Sequence, residues 1–259
     1  MKDYKLWNKK SKKREIKKLD KGIVDFMRVI NHFFEDLPEW IDEMRDPRCL
    51  SYCTYTQADY IYLGIMKNIC GQTSMSSMEE TFNEENCIDI LRILTGDKNL
   101  KEMPHKDSLN YCLERLSSSC LAELRTRMVK RLIRIKTFNR SKLLGKYWRV
   151  IIDGTSIHYY KERPDEHCLV TTIEKDGKKI TCYYHKVLEA KLILHDNIVI
   201  SLDTEFIENE RADVSKQDCE LNAAKRLMER IKKNYPKLNI CIQGDALYAV
   251  EPIMKIIME

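Results

Sequence analysis

Two short β-branched runs, each delivering an aspartate, constrain this chain more than any other feature. In the stretch Tyr147 to Thr155 (YWRVIIDGT), Val150, Ile151 and Ile152 follow one another without a polar break. That run is too short for a helix and apolar on both faces, as a strand in the middle of a sheet is. It ends on Asp153, with Gly154 next. Leu238 to Ile242 repeats the pattern, with Ile240, Cys241 and Ile242 contiguous and Gly244 leading into Asp245. An acid at the C-terminal end of a buried strand faces the crevice where open α/β sheets place their chemistry. If the two strands are parallel neighbours, both carboxylates leave the same sheet edge. Such a pair can share divalent metal ions, an arrangement suited to phosphoryl transfer on a nucleic-acid backbone. Gly244 reads as the residue that lets the chain turn tightly before Asp245.

The rest of the chain divides around these runs into a basic tail (1–20), a helical region (21–145) and an α/β region (146–259). In the helical region, apolar residues recur about every 3.6 positions from Glu15 to Phe34, at Ile16, Leu19, Ile23, Phe26, Met27 and Ile30. A loop carrying Pro38 and Pro47 follows. Thr56 and Asp59 have the spacing of a capping box, and Gly71 closes the helix they open. Ser77 with Glu80 predicts another start, and Cys87 to Leu94 a short helix stopped by Gly96. The acids Glu79, Glu80, Glu84 and Glu85 fall on a solvated face. Leu109, Cys112, Leu113 and Leu116 predict one further helix, and Leu121, Leu124, Met128 and Leu132 another.

Beyond Tyr147 the period changes. A polar loop is expected after Asp153, then a hairpin of Cys168 to Ile173 with Ile180 to Tyr184 around Asp176-Gly177. Val187 to Leu194 and Ile198 to Phe206 form a second hairpin across His195, Asp196 and Asn197. Ser215 and Asp218 are expected to cap a helix whose Leu221, Ala224, Leu227, Met228 and Ile231 face the sheet. The fold class is therefore α+β or α/β, an N-terminal helical region followed by a mixed sheet with flanking helices.

Charge adds a second theme. Residues 1–20 carry nine Lys or Arg against three acids, and Arg125 to Arg149 hold ten basic residues and no acid. Arg125, Arg127, Lys130, Arg131, Arg134, Lys136, Arg140, Lys142 and Lys146 are the candidate phosphate contacts of a polyanion-binding face. A solvated helix face, kept amphipathic by Leu132, Ile133, Ile135, Leu143 and Leu144, is the alternative. No apolar run approaches the ~18–20 residues that a membrane span requires, and the lysine-rich start lacks a signal peptide's apolar core, so a cytoplasmic protein is expected. The ten cysteines are scattered without a C-x-x-C pair and read as reduced and mostly buried rather than as a zinc site.

The order of an acid-tipped strand, antiparallel strands, a helix and a second acid-tipped strand resembles the ribonuclease-H-like core of bacterial insertion-sequence DDE transposases. The likeness extends to MPHKDSLNYCLERL at Met103 to Leu116, WRVIIDGT, LDTEFIENE at Leu202 to Glu210, KQDCELNAAKRL at Lys216 to Leu227 and GDALYA at Gly244 to Ala249. A phosphatase of the haloacid dehalogenase type also uses an I-D-G-T strand, but it places a nucleophilic aspartate where this chain has Ile151.

The resemblance implies a DNA transposase that cleaves and joins strands. Asp153 and Asp245 would be catalytic and hold Mg²⁺ or Mn²⁺. Double-stranded DNA at element ends would be the partner, the complete protein a homo-oligomer, and the location the bacterial cytoplasm at the nucleoid. It also implies a glutamate on a helix well beyond the second aspartate. Only Glu251 and Glu259 follow Asp245 here, so the catalytic domain is expected to be partial and this chain alone inactive. The alternative is a non-catalytic DNA-binding remnant or regulator. Glu251 and His158 are further candidate site residues, Tyr159, Tyr160 and Lys161 candidate DNA contacts, and Glu205, Glu208 and Glu210 structural or DNA-facing acids.

Overall fold

A computed structural model describes residues 9–258 except Thr137 and Asp176, with side chains from Lys21 onward other than Lys175. The tail residues before Lys9, Glu259 and Asp176 of the expected hairpin turn lie outside it. The chain forms two units, 1–124 and 125–259. The division falls earlier than the charge and periodicity patterns suggest.

Unit one is helical: α1 (Lys9–Phe33), α2 (Leu37–Asp42), α3 (Gln57–Ile69), α4 (Met75–Phe82), α5 (Glu85–Thr95) and α6 (Lys106–Arg115). α3 is its centre, because every residue from Gln57 to Leu63 is buried. A helix buried on all sides must be surrounded by others. Ile23, Ile30, Leu37, Ile41, Met78, Phe82, Leu91 and Leu109 complete this core.

The capping box is present as the sequence predicts, with Thr56 accepting from the Asp59 N–H and Asp59 accepting from Thr56. It satisfies two amide groups that the helix itself leaves unpaired. Gly96 caps α5 in the left-handed conformation at φ 74°. Two expectations change. Pro38 lies in the first turn of α2, where its missing N–H costs nothing, instead of in a loop. Ser74, not Ser77, opens α4, its hydroxyl accepting from the Ser77 N–H.

Helix α7 (Ser118–Arg134) crosses the division between the units. In unit two the mixed five-stranded sheet comprises β1 (Trp148–Tyr160), β2 (Leu169–Lys175), β3 (Lys178–Ile193), β4 (Val199–Ile207) and β5 (Ile240–Gln243). β3 is long enough to serve three neighbours. One edge pairs antiparallel with β1, while the other takes β2 along its first half and β4 along its second. The two segments expected as separate strands at Ile180 to Tyr184 and Val187 to Leu194 are therefore one strand. The β3–β4 connection contains Asp196 and Asn197 at φ 57° and 59°, the pair of left-handed residues that a tight hairpin requires.

α8 (Glu220–Asn234) carries the chain from β4 to β5 and lays Ala223, Ala224, Leu227, Met228 and Ile231 on the sheet. They meet Trp148, Val150, Ile152, Leu188, Ala190, Leu192 and Leu202, joined by Val129 of α7. Cys219, rather than Ser215, precedes α8, and it caps nothing with its side chain. Asp218 instead pairs with Arg226 at 2.7 Å. α9 (Glu251–Met258) follows β5 and buries Ile253 in the same core.

All ten cysteines are free, but only Cys112, Cys168 and Cys182 are buried, fewer than their apolar character suggests. No helix among the described residues is long and apolar enough to cross a membrane.

Candidate functional site at the β1–β5 edge

β1 and β5 are parallel neighbours. Their register runs from Trp148 beside Ile240 to Ile151 beside Gln243. Extending it by two residues brings Asp153 level with Asp245, at the point where β5 has ended and the chain turns into a short 3-10 helix, Ala246–Tyr248. Both aspartates are exposed. One oxygen of Asp245 accepts the Leu247 N–H at 2.9 Å, which fixes that side chain as the cap of the turn and leaves its second oxygen for another partner.

The expectation that β1 ends at Asp153 does not hold. β1 continues to Tyr160 because β3 goes on supplying partners beyond Asp153, which lies opposite Glu189. The crevice therefore comes from the end of β5, and the polar loop expected after Asp153 begins only beyond Tyr160. Glu189 is a third carboxylate in the row, but its oxygens accept from Ser201 and Thr204 on β4. Among the described residues no group of three or more His, Cys, Asp or Glu is placed to hold a metal ion. Asp153 and Asp245 are thus two exposed carboxylates level with each other across the β1–β5 pair.

On the opposite sheet face lies a group that spacing alone did not reveal. Successive strand residues point to opposite faces, so Gly154 looks away from the Asp153 side. A Cβ there would stand 2.7 Å from the Glu220 carboxyl carbon; the glycine is what admits that carboxylate. A Cβ on Gly244 would likewise meet the Tyr248 ring at 2.7 Å. The Tyr248 hydroxyl donates to Glu220 at 2.7 Å, and Lys186 pairs with the other Glu220 oxygen. Burial pushes the Tyr248 phenol up, and the adjoining Glu220, Asp245 and Asp153 charges push it further. Although burial opposes it, contact with Lys186 and Tyr248 holds the Glu220 carboxyl below its ordinary range.

No family model, curated protein or solved structure matches this chain.

The remaining candidates are scattered. His158 is exposed on β1, its ring 4.6 Å from that of Tyr160, beyond an irregularity that leaves Ile157 without a β3 partner. Tyr159 stacks on Tyr184 at 5.3 Å. Glu251 is exposed in the first turn of α9 and pairs with Lys255 at 2.7 Å, one helical turn on. Glu205 pairs with Arg226 and Arg230 and so serves the fold.

The basic run is not one surface. Arg125, one of the candidate phosphate contacts, turns inward to Asp203 and Thr204. Lys130 lies 5.9 Å from the Tyr235 ring centre and Lys142 5.2 Å from that of Trp148. Arg134, Lys136, Arg140 and Lys146 are exposed. The expected amphipathic pattern also breaks. Ile133 packs on the core, whereas Ile135, Leu143 and Leu144 are exposed, because α7 ends at Arg134 and a series of turns follows.

Proposed function

We infer that the chain carries the aspartate pair of a DDE-type DNA transposase with a ribonuclease-H-like core, acting on the phosphodiester backbone of double-stranded DNA. The observation that carries this reading is the parallel β1–β5 register, which sets Asp153 and Asp245 side by side beyond the last paired residues. Further support comes from strand direction, since β1 is antiparallel to β3, β3 to β4, and β5 returns through α8 parallel to β1. That is the order on which the sequence resemblance rests.

In this reading Asp153 and Asp245 hold Mg²⁺ or Mn²⁺, which supplies charge neutralisation at the attacking and leaving oxygens of an in-line displacement. The aspartates orient the site; no covalent protein nucleophile is required. Asp245 is held by its own turn and Asp153 by the paired backbone of β1, so both are fixed on regular structure rather than on a loose loop. The exposed Arg134, Lys136, Arg140 and Lys146 provide sequence-independent phosphate contacts. A third carboxylate, on a helix beyond Asp245, completes the set in transposases of this type.

The test is Mn²⁺ binding by the whole chain, followed by electron paramagnetic resonance. Binding that disappears in Asp153→Asn and in Asp245→Asn is expected; binding unchanged in both variants refutes the reading. A salt titration of duplex binding tests the DNA partner. Replacing Arg134, Lys136, Arg140 and Lys146 with alanine should flatten the slope of log affinity against log salt by about 3–4 if each contacts one phosphate. An unchanged slope would leave this run a solvated surface.

A further inference from the structure

The two candidate ligands are separate pieces of chain, joined on the Asp153 side of the sheet by no side-chain bond among the described residues. On the other side they are tied. Tyr248 packs on Gly244, immediately before Asp245, and Glu220 packs on Gly154, immediately after Asp153. The phenol and the carboxylate meet at 2.7 Å, so one hydrogen bond closes a bridge between β1 and the end of β5. Lys186 on β3 holds the bridge from the third strand, at the position paired with Ser156. The first turn of α8 supplies the carboxylate, and an acid is favoured there by the helix dipole.

We propose that Tyr248, Glu220 and Lys186 form a brace that fixes the end of β5 against β1 and thereby sets the separation of Asp153 and Asp245. This rests on the reading of those aspartates as metal ligands. Glu220 is not itself a third ligand. It faces the opposite side of the sheet from Asp153 and already accepts from two donors. Tyr248 is a positioning residue, because its hydroxyl belongs to the same turn that Asp245 caps and is the atom through which that turn reaches β1.

The brace divides into two separable parts. The phenol–carboxylate bond sets geometry, while the Lys186–Glu220 ion pair contributes to stability. Glu220→Gln keeps an oxygen to accept the phenol proton but loses the charge, whereas Tyr248→Phe keeps the ring and loses the bond. Removing the partners that orient metal ligands typically weakens metal affinity ~10–100-fold.

The experiment measures Mn²⁺ affinity and thermal melting together in the full chain and in Tyr248→Phe, Glu220→Gln, Glu220→Ala and Asp153→Asn. Tyr248→Phe and Glu220→Ala are expected to weaken Mn²⁺ binding about tenfold or more, by the same scale. Glu220→Gln should retain most of the affinity while melting at a lower temperature. Glu220→Ala, which leaves Tyr248 intact, decides the point should Tyr248→Phe fail to fold. If Asp153→Asn abolishes binding but Tyr248→Phe and Glu220→Ala bind as the parent chain does, the brace is only structural and the metal reading stands. If the parent chain does not bind Mn²⁺ at all, the metal reading fails and the brace proposal with it.

Discussion

Among the described residues each unit buries one aspartate, and the two are treated in opposite ways. Asp59, in the helical unit, is fully buried and held by the N–H and hydroxyl of Thr56, each at 2.8 Å. No cation among the described residues pairs with it. Asp203, in the sheet unit, is equally buried but lies between Arg125 and Arg230. The tyrosines repeat the contrast. The Tyr62 hydroxyl in α3 is buried without a hydrogen-bond partner, while that of Tyr235 donates to the Leu202 carbonyl at 3.4 Å. The helical core is thus an apolar packing that tolerates uncompensated polar atoms. The sheet unit contains an ion-pair lattice of Arg125, Asp203, Arg230, Glu205, Arg226 and Asp218, though even there the Arg125 Nε is unpaired. The difference follows from element type. A central helix satisfies its own backbone and needs little else. A sheet covered by helices has strand and helix side chains that must find each other.

The largest effect expected is from opening that lattice. Arg230→Ala leaves Asp203 buried with one partner fewer and should destabilise the sheet unit by ~3–5 kcal/mol in urea unfolding, the usual consequence of breaking a buried pair. A loss below ~1 kcal/mol, as for an exposed pair, would erase the contrast with Asp59.

The tyrosines should respond with opposite signs. Tyr62→Phe removes a buried unpartnered hydroxyl and should stabilise by ~1 kcal/mol, whereas Tyr235→Phe deletes a hydrogen bond and should cost ~0.5–1.5 kcal/mol. Equal effects from the two would show that the Tyr62 hydroxyl has found a partner.

pH provides a subtler separation. Burial raises Asp59 above its ordinary 3.8, so the folded state retains the proton longer than the unfolded chain. Its contribution is fully present below that value and is lost as pH rises through the folded-state value. Asp218 has the reverse sign. Burial would raise it, but Arg226 prevails and holds it below 3.8, so its contribution is present above 3.8 and lost as pH falls through the lower folded-state value. Urea midpoints against pH should lose their alkaline-side decline in Asp59→Asn and part of their acid-side decline in Asp218→Asn. Unaltered profiles in both would contradict the assigned directions.

The smallest effect belongs to the exposed Arg28–Asp25 pair on α1, at 3.2 Å with side chains 75% and 52% exposed. Arg28→Ala should change stability by no more than ~0.5 kcal/mol. A larger loss would mean that Arg28 touches more than its helix neighbour.

Much of the fold was legible because its signals are local. The Thr56–Asp59 cap, the Gly96 stop, the apolar stripe of α8 and the Asp196-Asn197 turn depend only on nearby backbone chemistry, and each appears where the residues indicate. Boundaries failed where a partner overrode the local reading. Asp153-Gly154 looks like a strand end, but β3 continues to bond to β1 through both residues. Ser215 and Asp218 have the spacing of a cap, but Arg226 claims Asp218.

The candidate site divides along the same line. By itself the sequence determined that two short strands each deliver an aspartate, because β-branched runs of that length are too short for a helix. Only the tertiary structure decided that these strands are parallel neighbours in a register that levels Asp153 with Asp245. It also decided that Arg125 turns inward to Asp203 and that Gly154 and Gly244 make room for Glu220 and Tyr248. Those facts concern residues far apart in the chain. Spacing along a sequence records what a residue does to its neighbours within a turn or two, while register, burial and close approach depend on which distant segment arrives beside it.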